Sequence, residues 1–280
     1  MRPIILLKME TITLIVIVLI VVVFSSLLII EINNGSLNGA AKNGLSPQTS
    51  SSVSDVNVTG SGQTVKVLIY DGYDTLPSSI DGIKGCLNYV NFRNSIPNVK
   101  FVCTTSNTIN SSTLSSYDVL IMPGGSAGSY LKNSKIDSIA IKNFVASGKG
   151  YVGICAGSYA ASYHIDGEDD GWGIAPDIKC KAMNYTGQLP VKITSSGVDI
   201  LKCSGVQTMC HWNGPAMYKK GNATTLATYA DSKTGYMNYD AIVVDNYGSG
   251  RVVLSGSHPE LYPFKPEILA RMIFYASKKG

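Results

Sequence analysis

One cysteine of the chain has neighbours that suit a nucleophile. Cys155 stands in Gly153-Ile154-Cys155-Ala156-Gly157, after the apolar run 151–154 and before the small residues 158–162. A strand that ends in a cysteine between glycines and turns at once into a helix is a nucleophile elbow. The glycines relieve the clash across the tight turn, and the N–H groups opening the helix favour a thiolate. A thiol nucleophile needs a base and a group to orient that base. Of the 3 histidines, His258 lies in Ser257-His258-Pro259-Glu260, just after the apolar run 251–255. His258 is therefore the expected base, and Glu260 the carboxylate that fixes its tautomer across an extended Pro259. His211, beside Trp212, is expected as a pocket wall or an alternative base, and His164 at the surface. Acyl transfer also needs donors for an oxyanion. The N–H of Ala156 and that of Gly124 or Gly125, in Pro123-Gly124-Gly125, are the candidates, with Gly125 preferred.

These groups need a scaffold that brings distant segments to one edge. Residues 65–70, 99–103, 117–122 and 151–154 read as strands, separated by helical periodicity over 78–94 and 136–145. Ser78 or Ser79 would cap the first helix. Such alternation predicts a parallel sheet covered on both faces. Past residue 165 the runs 178–183, 189–194, 206–211, 225–229 and 239–245 predict further strands. Gly248-Ser249-Gly250 predicts a hairpin into 251–255, and residues 266–278 a closing helix. The expected fold is a three-layer α/β/α sandwich with antiparallel additions. Ligands bind such sheets beyond the carboxyl ends of the strands, where Asp71, Gly124 and Cys155 all fall. Asp71 is expected as one wall of the pocket, with Gly124, His211 and Asn213 bordering it. Tyr159, Trp172, Trp212 and Tyr218 are aromatic candidates for the cleft.

The N-terminus has a different character. Residues 11–30 carry no charge, and as a helix they would be about 30 Å long, enough to cross a bilayer core. Arg2 and Lys8 precede the block and Glu31 follows it, which predicts a cytoplasmic segment 1–10 and everything after residue 30 outside. The block is too long for a typical signal peptide and no Ala-x-Ala site follows, so an uncleaved signal-anchor is expected. Residues 31–63, rich in Asn, Gly, Ser and Thr, read as a flexible tether to a domain at 64–280. A net charge of +4 without a basic cluster gives nothing for nucleic acid. Five Asn-x-Ser/Thr sequons, at Asn34, Asn57, Asn110, Asn184 and Asn222, agree weakly with an outside location. There are 6 cysteines; in an oxidising exterior most would pair, Cys86 with Cys103 and two of Cys180, Cys203 and Cys210. No metal spacing or phosphate-binding glycine loop occurs, and the acidic run Asp166, Glu168, Asp169, Asp170 fits a calcium loop poorly. No cofactor is expected.

Pro123-Gly124-Gly125, Gly153-Ile154-Cys155-Ala156-Gly157 and His258-Pro259-Glu260, in this order and spacing, resemble the class I glutamine amidotransferase superfamily. Within it Gly-Ile-Cys-Ala-Gly-Ser-Tyr at 153–159, His211-Trp212-Asn213-Gly214-Pro215 and the ending 250–260 resemble the branch of the biotin-protein-ligase N-terminal domain. The resemblance spans about residues 65–277. It implies a flavodoxin-like sheet, a triad Cys155–His258–Glu260 and an oxyanion hole at Gly125 and Ala156. True amidotransferases of the superfamily hydrolyse glutamine and pass ammonia to a synthetase. These 280 residues contain neither a synthetase nor a ligase domain, so no synthetase partner is identified. The expected activity is that of a membrane-anchored, outward-facing thiol hydrolase acting on a small-molecule or peptide amide or ester. Its alternatives are a binding module that keeps the fold without catalysis, and a redox-active thiol with Asp71 as its acidic neighbour.

Overall fold

The computed structural model of the chain describes residues 62–167 and 170–279. The expected anchor at 11–30 and nearly all of the tether at 31–63 lie outside the described residues. No helix among the described residues is long and apolar enough to cross a membrane.

The centre of the fold follows from strands that bury apolar side chains on both faces. Along β1 (Gln63–Tyr70), Val65, Val67 and Ile69 enter one buried cluster while Leu68 and Tyr70 enter another. Along β3 (Val119–Met122), Val119 and Ile121 join the first cluster, Leu120 and Met122 the second. β4 (Gly150–Ile154) divides likewise, with Val152 and Ile154 opposite Tyr151. Successive side chains of a strand point to opposite faces, so runs of this kind require cover on both sides. One cover is α1 (Pro77–Arg93) and α7 (Pro266–Ala276), through Ile80, Ile83, Leu87, Leu269 and Ile273. The other is α3 (Ala127–Lys132), α4 (Ser138–Ala146) and α5 (Ala156–Ala161), through Tyr130, Ile141, Phe144 and Ala160. The three layers are those expected.

The strands run β2 (Val99–Ser106), β1, β3, β4, β12 (Gly250–Ser255), all parallel. Their carboxyl ends therefore share one edge. Beyond β12 the sheet continues antiparallel through β11 (Asp240–Tyr247), β10 (Thr224–Tyr229), β7 (Thr186–Ile193) and β8 (Val206–Trp212). The β11–β12 hairpin turns at Gly248, whose φ of 59° suits glycine. A side ladder of β5 (Ser162–Ile165), β6 (Ala175–Ala182) and β9 (Pro215–Lys219) branches from β11.

The elbow helix is shorter than expected. α5 stops at Ala161, and residue 162 begins a strand. Trp172 N–H donates to Ala160 O at 2.7 Å and Gly173 N–H to Ser162 O at 2.9 Å, so a returning segment takes the carbonyls that a longer helix would use. His164 lies on β5, with Nδ1 2.6 Å from Asp170 Oδ1 and Nε2 3.7 Å from Asp166 Oδ1. Asp166 and Asp170 thus both face His164. The short helices α2 (Ser111–Leu114), α3 and α6 (Ser195–Leu201), and strand β9, have no counterpart in the expected elements.

Candidate active site

Cys155 leaves β4 with φ 51° and ψ −105°, a backbone conformation that costs energy for any residue with a side chain. The surroundings impose it. A Cβ at position 153 would lie 2.6 Å from Gly157 O, and one at 157 would lie 2.8 Å from Met122 C. Both glycines are there for close approach of α5 to β3 and β4. Cys155 N–H donates to Ser255 O at 2.8 Å. The single proton of Ser158 Oγ has two acceptors in reach, Gly153 O at 2.9 Å and Ser255 O at 2.8 Å. The elbow is pinned to β12, and β12 leads to His258.

His258 and Glu260 are both buried. Pro259 does not extend the chain between them. It opens a turn closed by Leu261 N–H on His258 O at 3.3 Å, where proline's fixed φ favours the second position. The turn swings the carboxylate back, and His258 Nδ1 lies 2.7 Å from Glu260 Oε1. The main chain is held as well, since His258 N–H donates to Cys210 O of β8 at 2.8 Å. Burial opposes a charged imidazole, yet the Glu260 carboxylate and then the Cys155 sulfur raise its pKa well above the usual histidine range. The other nitrogen, Nε2, makes no hydrogen bond among the described residues. The Cys155 thiol instead donates to Trp212 O at 3.5 Å.

Pro123-Gly124-Gly125 follows β3 beside this pair. A Cβ at position 124 would sit 2.7 Å from His258 Cε1, so Gly124 lets the imidazole lie flat on the turn. Its N–H is already used, donating to Ser79 Oγ at 3.1 Å. Gly125 and Ala156 N–H donate to no other described residue. Of the two glycines, Gly125 is thus the one whose N–H keeps no acceptor among the described residues. A cavity of about 540 Å³ opens here, lined by Cys155, Ala156, Gly125, His258, Asn213 and Trp212 and by Asp74, Thr75 and Tyr159.

Of the four expected pocket residues Asn213 lines this cavity; Gly124 does not line it but packs against His258, and the other two lie elsewhere. Asp71 is exposed beside β2, its N–H donating to Ser106 O at 2.8 Å, and it does not line the cavity. Asp74, 3 residues on in the same loop, does. His211 is fully buried against Tyr229, with ring centroids 5.5 Å apart, and does not line the cavity either. Trp172 is buried in the helix-side core and Tyr218 bonds Asp166 at 2.7 Å, so of the four aromatic candidates only Tyr159 and Trp212 reach the cleft.

Ser79 was legible only as a cap. α1 is capped at Leu76 without a side-chain bond, with Pro77 opening the helix. Buried Ser79 Oγ donates to Glu260 Oε1 at 2.6 Å while accepting from Gly124 N–H. One hydroxyl joins the carboxylate to the glycine turn.

Burial, and then the nearby His258 charge, push His211 down to about 4. The unfolded histidine, with a pKa of about 6.5, binds more protons in this window. His211 therefore contributes stability above about pH 6.5 that is lost as pH falls toward 4, worth about 3 kcal/mol. We expect His211→Gln to flatten this part of the urea-unfolding stability profile. An unchanged slope between pH 6.5 and 4 would show that His211 does not titrate as described.

All six cysteines are free. The expected bridges are absent: Cys86 is buried on α1, Cys103 is half-buried on β2, and Cys180 lies buried on β6.

The chain is similar to known proteins in both sequence and fold. Residues 65–174 match the family model "Biotin-protein ligase, N terminal". The biotin–protein ligase of Schizosaccharomyces pombe is 27% identical over 161 residues, which is 51% of this chain and 25% of that protein. The chain thus spans about a quarter of the length of that curated relative. Three solved structures each overlie 76% of the chain at 14–17% identity. One is from PurLQS of Thermotoga maritima, at TM-score 0.52 over 97% of that chain. Another is a thua-like protein from Bacteroides uniformis, at 0.51 over 91% of that chain. The third is a β-galactosidase from Rahnella sp. R3, at 0.51 over 30% of that chain. At such identities they show the fold alone. The fold of the described residues is thus that of these structures.

Proposed function

We propose that this domain is a cysteine hydrolase acting on an amide or ester, with Cys155 as nucleophile, His258 as proton carrier and Glu260 as its orienting carboxylate. The observation that carries the reading is the buried His258–Glu260 pair, whose Nε2 has no partner among the described residues, beside a cysteine in a strained elbow. The thiolate attacks the carbonyl carbon, and the oxyanion takes the N–H groups of Gly125 and Ala156. The C–N or C–O bond breaks, and His258 gives its proton to the leaving amine or alcohol. Water, deprotonated by His258, then cleaves the thioester, returning the acid and free Cys155.

A second reading, a binding module without chemistry, draws on one contact: the thiol donates to Trp212 O and not to His258 Nε2. Membrane anchoring through 11–30, with the domain outside, is a further part of the proposal and rests on sequence.

An activated acyl ester should leave a mass adduct at Cys155 of the whole protein, absent from Cys155→Ala. No adduct at Cys155, or equal labelling of the variant, would favour the binding module. A membrane-impermeant form of the ester, applied to intact cells, should label Cys155 if the domain faces outward. Labelling only after lysis would overturn that topology.

A further inference from the structure

The charge around the cavity bears on what kind of amide it admits. Among the described residues Asp74 is the only carboxylate that lines it, and no lysine or arginine does. The one cationic group, His258, is neutralised by Glu260 at 2.7 Å. Half-exposed Trp212 lines the same cavity, and an indole ring can attract cations. Asp74 is held in place. Its backbone takes φ 59°, a left-handed conformation that aspartate tolerates better than most residues. Its carbonyl accepts from Ser126 N–H at 3.0 Å, and its Oδ2 accepts from Ser129 Oγ at 2.5 Å. No described residue hydrogen-bonds Oδ1, and no cationic side chain forms an ion pair with the carboxylate.

Its position also says which half of a substrate it meets. The leaving group must depart beside His258, which protonates it. Asp74 sits beside Gly125 instead, where its carbonyl abuts the space a Gly125 side chain would take. That is the side of the oxyanion and of the acyl group that stays on sulfur.

Resting on the hydrolase reading, we infer that the cavity selects amides and esters whose acyl half carries a positive charge and disfavours those with a negative one. An amino acid with a free carboxylate would meet a carboxylate and no compensating base. A rim charge in water is partly screened. A preference of about tenfold between cation and anion, falling with salt, is therefore the scale to look for.

Three matched probes test it: the 4-nitrophenyl esters of N-acetyl-lysine, N-acetyl-norleucine and N-acetyl-glutamate, with the Cys155→Ala rate subtracted. The lysine ester should give the highest kcat/KM and the glutamate ester the lowest, with the difference in KM. In Asp74→Asn, which can still accept from Ser129, the lysine-to-glutamate ratio should collapse toward one. In Asp74→Lys it should invert. Equal turnover of the three esters by the unaltered protein, or a ratio untouched by both variants, overturns the inference. Binding of the three N-acetyl amino-acid amides to Cys155→Ala separates this from the chemistry. A lysine preference there without turnover keeps the selectivity and sinks the hydrolase. Turnover without any preference keeps the hydrolase and sinks the selectivity.

Discussion

His258→Asn is expected to slow acylation of Cys155 by about 10²–10⁴-fold, the usual contribution of a positioned proton carrier. Asparagine is chosen because its side-chain N–H can still donate toward Glu260. Removing the ring outright would leave a fully buried carboxylate with only Ser79 as partner, a loss of about 3–5 kcal/mol that could unfold the domain and hide the chemistry. Stopped-flow acylation by an activated ester, with circular dichroism to confirm the fold, gives the measurement. Ser79→Ala should fall between the unaltered protein and His258→Asn, since it takes one bond from Glu260 and one from the glycine turn. An His258→Asn variant that acylates at the normal rate would remove His258 from the mechanism.

Gly157→Ala should have the largest effect on stability, a loss of about 3 kcal/mol or more, at or above the upper end for overpacking. The added methyl would lie 2.8 Å from both the carbonyl carbon and Cβ of Met122, and closer still to its carbonyl oxygen. Two of these three atoms are backbone in a fully buried strand, so no side chain can simply turn aside. Relief requires α5 to move off β3. That shift would carry Cys155 with it and disturb Pro123-Gly124-Gly125 directly after Met122. Activity should fall together with the urea midpoint. A variant as stable as the original would mean that the approach of α5 to β3 is looser than described.

The parts of the site that sequence could convey were those encoded locally. Cys155 announces itself through glycines two residues either side, and Glu260 through its two-residue spacing from His258. The central strands were legible because β1, β3 and β4 bury both faces. Long-range partnerships were not. Ser79 looks like any hydroxyl in a helix's first turn, and nothing near it tells that Glu260, 181 residues away, takes its proton. Asp71 is the residue that a strand end points to, whereas the loop must turn before a side chain enters the cavity, which is where Asp74 stands. His211 drew attention as one of 3 histidines, but only the packing of Tyr229 against it reveals a core residue. The strands after residue 165 other than β9 were found as elements, while their order in the sheet depends on pairings that no local pattern records.

The cavity has walls of two origins. Cys155, Gly125 and Asp74 follow strands of the parallel half, whereas Trp212 and Asn213 sit at the turn between antiparallel strands β8 and β9. The family match ends at residue 174, before that turn begins. Gly214, next to it, packs against Gly256, so the turn rests on the loop to His258 without belonging to it. One wall of the cavity is thus separable from the proposed reacting groups. A designer or natural selection could change the side chains at 212 and 213 and alter what is admitted, while Asp74 and the thiol stay on the parallel half and the Trp212 carbonyl that faces the thiol is kept.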